Sequence, residues 1–285
     1  MRLWSACPRL FGGAALPALA CGALAGCGAT GTQPTSATPV ERAADVTASG
    51  PGYRFTLSSQ ASVGGRSAAF TADGSIDERL RQGTLTMRLG TLDVSEIESG
   101  PYIYVRVPQT GGSLAPGTRP WVRADIYTFT QALSGSNPIA GDTSSPTQLL
   151  QILRSGGPVS VVGTQDVRGV PTTRYHALID FERYASTLAA GQRPGAQAYA
   201  SELRRITGSS SLPVDVWVDG AQRIRRFQTQ LRLCTPQGTL TDAISMDLYD
   251  YGPQPVVTAP APSQATDITQ ALRSRVAQTL AQLSC

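Results

Sequence analysis

The chain has 285 residues, 41% of them hydrophobic and 15% charged, with a formal net charge of +4. That composition is too apolar for a disordered protein and lacks the long apolar runs of a polytopic membrane protein, leaving one large domain or two small ones. All 24 basic residues are arginine, so there is no Schiff-base or P-loop lysine, and pyridoxal enzymes, P-loop NTPases and kinases are excluded.

Taken in chain order, the first element is an export signal over residues 1–26. Arg2 and Arg9 supply a basic start, Phe11 to Ala25 is an Ala/Leu/Gly-rich apolar run, and small residues close it. The run is shorter than the roughly 20 residues that span a bilayer core. Leu24-Ala25-Gly26-Cys27 resembles the lipobox of bacterial lipoproteins, whose cysteine sulfur receives a diacylglycerol group. Cys21 fits less well, because Ala18 stands where a lipobox prefers leucine. Cys27 is therefore the expected lipidation site, and the resemblance implies a lipid-anchored protein on the extracytoplasmic side of the cell membrane. Cleavage before Cys27 removes Arg2 and Arg9, leaving 22 arginines against 20 acids. No basic stripe suggests nucleic acid. Residues 27–45 are assigned to a flexible tether on the strength of the small, polar stretch Gly28 to Thr38. Residues 46–285 are assigned to one domain.

After the tether, period-2 alternation dominates. Tyr53, Phe55 and Leu57 alternate with polar residues, as do Leu85, Met87 and Leu89. Ile103, Val105 and Val107 face away from Tyr102, Tyr104 and Arg106, and Val214, Val216 and Val218 oppose Asp215, Trp217 and Asp219. Phe227 to Leu233 and Ile244 to Leu248 obey the same rule. One apolar and one polar face indicates an antiparallel sheet wet on one side. Asp73-Gly74 and Asp219-Gly220 read as hairpin turns. Helical spacing places short helices at Leu149–Leu153 and Phe181–Leu188, and a longer one through Ala196, Tyr199, Leu203 and Ile206 closed by Gly208. A C-terminal helix is expected over 265–285. A large sheet with few helices and no strict strand–helix alternation is an α+β fold.

Several motifs carry a further resemblance. Pro120 to Asp125 is similar to a Trp-x-x-x-Asp corner leading from strand to helix, and Val162 to Tyr175 to a strand pair of the pattern VGTExVxGxxTxxY. Leu212 to Asp219 is similar to an LPVxVWVD strand, and Asp250-Tyr251-Gly252 to a closing DYG. Together with the lipobox they resemble the LppX/LprAFG-like lipoproteins of actinobacteria, related in shape to LolA and RseB. The resemblance implies a half-barrel, a curved antiparallel β-sheet with helices closing the concave face over an apolar cavity. It also implies binding of acylated lipid there, with carriage across the cell envelope. The candidate cavity lining is Phe55, Leu57, Leu85, Met87, Ile103, Val105, Val216, Phe227, Ile244 and Met246. Ala265–Cys285 extends beyond the family's usual end.

The remaining chemistry is sparse. His176 is the only histidine, on a strand beside Tyr175. A triad would need a nucleophile and an acid beside it. No Gly-x-Ser-x-Gly elbow, Cys-x-x-Cys pair or phosphate loop is present. No enzyme, cofactor or metal site is expected. Cys234 and Cys285 are expected to form a disulfide outside the cytoplasm, the alternative being two free thiols. The reading is a lipoprotein that binds acylated lipid, its protein partner unknown. Its rivals are an envelope sensor or adaptor that binds a protein, a structural lipoprotein whose core is filled by its own side chains, and a hydrolase, which would need an Asp or Ser poised beside His176.

Overall fold

The computed structural model describes residues 37–90, 92–106, 119–125, 153, 157–188, 190–191, 193–235 and 238–281. The described residues, from Ala37 onward, belong to one compact unit. Among the described residues, no helix is long and apolar enough to cross a membrane.

The described residues open with helix α1 (Pro39–Ala48), then six strands: β1 (Tyr53–Val63), β2 (Arg66–Asp77), β3 (Gln82–Leu89), β4 (Leu92–Ser99), β5 (Tyr102–Arg106) and β6 (Trp121–Asp125). A second run holds β7 (Val159–Val167), β8 (Val170–Asp180), helices α2 (Phe181–Thr187) and α3 (Arg193–Thr207), β9 (Ser211–Asp219), β10 (Ile224–Thr235) and β11 (Gly238–Tyr249). A short β12 (Ala265–Asp267) and helix α4 (Thr269–Ala281) complete the order. All twelve strands form one open, curved sheet in the order β12-β6-β5-β4-β3-β2-β1-β11-β10-β9-β8-β7. Two meanders, β1–β6 and β7–β11, are thus joined where β1 pairs antiparallel with β11. Only β12, added parallel to β6, departs from the antiparallel pattern.

The α+β half-barrel expected from the sequence is present, with helices packed on its inner face. Val40, Ala43 and Ala44 of α1, Phe181 of α2 and Ala200 and Leu203 of α3 share one buried cluster with Tyr53, Phe55 and Leu57 of β1 and Met246 and Leu248 of β11. Asp180 caps α2, its carboxylate accepting from the Glu182 and Arg183 amides. Gly208 ends α3 in a left-handed conformation (φ 79°), donating to the Arg204 carbonyl.

Three expectations need correction. Residues 39–45, given to the tether (27–45), belong to α1. Pro39 stands in its first turn, Thr38 and Glu41 form a reciprocal capping box, and Val40, Ala43, Ala44 and Thr47 are buried. Asp73-Gly74 is not a turn but the middle of β2. A Cβ on Gly74 would lie 2.5 Å from the ring of Phe55 and 2.3 Å from the Thr84 carbonyl, so glycine serves close approach there rather than a bend. The C-terminal helix does not begin at 265: Ala265–Asp267 form β12, and α4 starts at Thr269, whose hydroxyl accepts from the Asp125 amide (2.9 Å). The other expected turn, Asp219-Gly220, does connect two strands, with the Asp219 carboxylate accepting from the amides of Ala221 and Arg223. Of the helix expected at Leu149–Leu153, only Leu153 is among the described residues, and it is buried.

Candidate functional site

Cross-strand partners share a sheet face, so the pairing register lays out the inner face in rows. One row runs Val105–Glu96–Leu85–Gly74–Phe55–Leu248. The next runs Val94–Met87–Ala72–Leu57–Met246–Phe227–Val216–Tyr175–Val161, across nine strands. Ile244 stands beside this row, and Ile103 beside the first. All ten residues expected to line a cavity therefore lie on one face.

They do not share one environment. Phe55, Leu57, Val216, Phe227 and Met246 are buried in the core under the helices. Leu85, Met87, Ile103, Val105 and Ile244 are only partly buried. On β5 the residue nearest full burial is Tyr104, on the opposite face, where Arg123 hydrogen-bonds it. Two residues that the sequence reading passed over, Glu96 and Glu98, also stand on the inner face, each engaged by another group. Their acidic side chains among Leu85, Ile103 and Val105 could have been found by extending the alternation into β4.

Helix α1 is latched to the sheet by a knot around Tyr251 of the DYG motif. The Ile224 amide donates to the Thr47 hydroxyl (3.0 Å), and the Tyr251 hydroxyl donates to the Ile224 carbonyl. Arg223 and Arg225 each lie 4.9 Å from the Tyr251 ring, and both pair with Asp219. Burial pushes the Tyr251 phenol well up. Burial by itself would raise the Asp219 carboxyl too, but the Arg223 amide and the Arg225 guanidinium outweigh it and hold it below the ordinary value.

The outer face is polar and bonded across strands. Arg226 grips Asp247 through two hydrogen bonds (2.6 and 2.8 Å). Trp217 is buried here between Arg174 and Arg226, and its indole N–H donates to Gln165 (2.9 Å). His176, as expected, is an exposed strand residue, with its Nδ1 3.0 Å from Asp215, whose other oxygen accepts from Arg174 (2.7 Å). Burial tends to raise the Asp215 carboxyl, and these two partners lower it by more. Sequence reading missed Asp215, because 39 positions separate it from His176 and only the β8–β9 register unites them.

A cavity of about 660 Å³ opens between the first turn of α1 and the ends of β7–β9, lined by Arg42, Gln165, Asp166, Thr173, Tyr175 and Val218 among others. A recess of about 480 Å³ lies along the outer face near His176. Of the ten candidate lining residues, only Ile244 borders either. Cys234 is disulfide-bonded. Cys27 and Cys285 lie outside the described residues, as do the other two cysteines. No group of three His, Cys, Asp or Glu among the described residues is placed to hold a metal.

Fold and site together define a class: an open half-barrel with an apolar inner face under helices and a polar outer face. No protein-family model matches the chain. It is 27% identical over 162 residues to an uncharacterized 31.2 kDa protein of Streptomyces griseus encoded in the rplA-rplJ intergenic region. That match covers 55% of this chain and spans about half (51%) of the relative. Among solved structures, it is similar to the Mycobacterium tuberculosis lipoprotein LppX (TM-score 0.48, 13% identity, 78% of this chain and 96% of that one). It is also similar to LprF of Mycobacterium bovis (TM-score 0.43, 12% identity, 78% and 95%).

Proposed function

We propose that this is a membrane-tethered lipoprotein that binds acylated lipid against the inner face of its sheet and carries it through the envelope. Cys27 holds the anchor and residues 28–38 give reach. A single acyl chain binds membranes only marginally, so the two chains of a diacylglycerol suit a permanent anchor.

One observation carries the reading. The ten apolar residues lie on one face, with Glu96 and Glu98 among them, yet only five are buried with the described helices. Burying a large apolar side chain contributes about 1.5–3 kcal/mol, so the partly covered patch of Leu85, Met87, Ile103 and Val105 favours an apolar occupant. Opening needs only that the covering segments part, and no bond is made or broken. In native mass spectra of the purified chain, a mass excess of one acyl lipid is expected. Met87→Glu should lower uptake of a fluorescent fatty-acyl probe about tenfold, equivalent to about 1.4 kcal/mol. A clean mass with no probe uptake contradicts the reading.

The disulfide of Cys234 is assigned to Cys285, since Cys7 and Cys21 leave with the signal and Cys27 takes the lipid. Peptide mapping without reductant checks it; a 234–27 link, or a free Cys285, contradicts it. A second reading, a sensor that binds a protein, draws support from edge strand β7, where Val161 is 68% exposed at the end of the long apolar row. A partner cross-linked to β7 in cells, with no lipid bound, favours that reading.

A further inference from the structure

We infer that the recess on the outer face, which shares only Ile244 with the candidate acyl surface, binds a neutral saccharide. Two adjacent rows of side chains form its floor. Ser58, Ser245, Gln228, Asp215 and His176 stand in register across β1, β11, β10, β9 and β8, and Gln60, Ala243 and Gln230 form the row beside them. Together with Pro213, Val214, Thr229 and Ile244, these residues border a volume of about 480 Å³, large enough for a small ligand.

The chemistry of that floor selects among occupants. An acyl chain would strip water from glutamine amides and serine hydroxyls and return no hydrogen bond. No arginine among the described residues borders the recess, as an anion would need: Arg174 is held by Asp215, and the exposed Arg232 stands one row beyond Gln230. The one carboxylate, Asp215, is matched by Arg174 and His176, so the recess repels no neutral ligand and attracts no strong charge. An extended peptide would pair with a free strand edge, whereas the recess lies across interior strands whose backbone groups already serve the sheet. A hydroxyl-rich, uncharged ligand remains. Each hydroxyl both donates and accepts, and each glutamine amide offers both complements.

The groups are also held in advance. Gln228 donates its amide N–H to Ser245 (3.1 Å), which turns its carbonyl oxygen to a fixed position. Asp215 is held by Arg174 at 2.7 Å and by the Nδ1 of His176 at 3.0 Å, which leaves the His176 Nε2 directed away from Asp215. Fixed partners reduce the ordering cost of binding. The aromatic faces nearby are taken: Trp217 lies between Arg174 and Arg226, and Arg54 and Arg168 both lie over Tyr249. Recognition therefore rests on hydrogen bonds without ring stacking, and a dissociation constant of about 1 mM is expected.

The test is saturation-transfer NMR on the purified full chain with maltotetraose and with tetra-N-acetylchitotetraose, and tetraglycine for comparison. Transfer to the ring protons of at least one sugar is expected. Binding should weaken at least tenfold in a Gln60→Ala/Gln228→Ala variant whose melting curve and fatty-acyl uptake match the unaltered chain. No transfer from either sugar at tenfold higher concentration overturns the proposal, as does binding unchanged in the variant or transfer to tetraglycine alone. Because acyl uptake is read in the same samples, failure of the sugar site is distinguishable from failure of the lipid reading.

Discussion

The two meanders of the sheet present the same kind of inner face and receive different cover. In the β7–β11 meander, Val214, Val216, Ile224, Phe227, Met246 and Leu248 are all buried, and α1, α2 and α3 pack into the same cluster. In the β1–β6 meander, burial is complete at β1 and fades outward: Leu85 and Met87 on β3 and Ile103 and Val105 on β5 remain partly exposed. The difference arises from connectivity. Helices α2 and α3 lie in the connection between β8 and β9, and α1 enters directly before β1, so chain entropy keeps these helices over their own neighbourhood. One half of the described sheet is thus a conventional core, and the other half is where the proposed ligand would add cover.

That contrast can be broken or sharpened by substitution. Phe227→Ala, in the sealed half, should cost about 3–5 kcal/mol and lower Tm by about 10 °C. Met87→Ala, in the same row but four strands away on β3, should cost only about 1–2 kcal/mol because part of that side chain is already in water. Equal losses in thermal unfolding would erase the distinction between the halves. Asp219→Asn removes the carboxylate that holds Arg223 and Arg225 and should cost about 3 kcal/mol, read as a lower midpoint in urea. The same carboxyl has a folded pKa below its ordinary 3.8. Its contribution is therefore fully present above that ordinary value and is lost as pH falls through the lower folded one. A urea midpoint that drops on acidification below about pH 4, and drops less in Asp219→Asn, is expected.

Gly74→Ala, on β2 between Phe55 and Leu85, should cost about 1–3 kcal/mol, since the Phe55 ring and the Thr84 carbonyl must give way. Thr38→Ala should cost about 1 kcal/mol, through loss of the α1 cap alone. Amide exchange localised to residues 39–48 would check the last of these; unchanged protection there would mean that packing, not the cap, holds the helix.

Much of this architecture was legible because a strand's side-chain period matches its pleat. Tyr53-Phe55-Leu57 and Val214-Val216-Val218 announced both their strands and their buried faces. Helix α1 was missed although its signals were present. Thr38-Pro39-Val40-Glu41 is a capping box with proline in the first turn, and Val40, Ala43, Ala44 and Thr47 keep helical spacing. Alanine and threonine are weak apolar markers, and the polar segment before them made the stretch read as linker. At Asp73-Gly74 a strong local turn signal lost to tertiary packing, because the Phe55 ring needs that glycine on the neighbouring strand. The proposed acyl surface could be named residue by residue from alternation, but its division into sealed and partly open halves depends on where helices settle. The outer recess could not be read at all: its members come from five strands, and only the register of the finished sheet brings Gln60, Gln228 and His176 together.

The most direct test of the central claim is photocrosslinking with a diazirine-bearing fatty-acyl probe, followed by peptide mapping. Labels on peptides holding Leu85, Met87, Ile103 and Val105, competed away by unlabelled acyl lipid and absent from Gln228 and Ser245, are the result expected. Labelling confined to the outer face, or none above that of a denatured control, would contradict it.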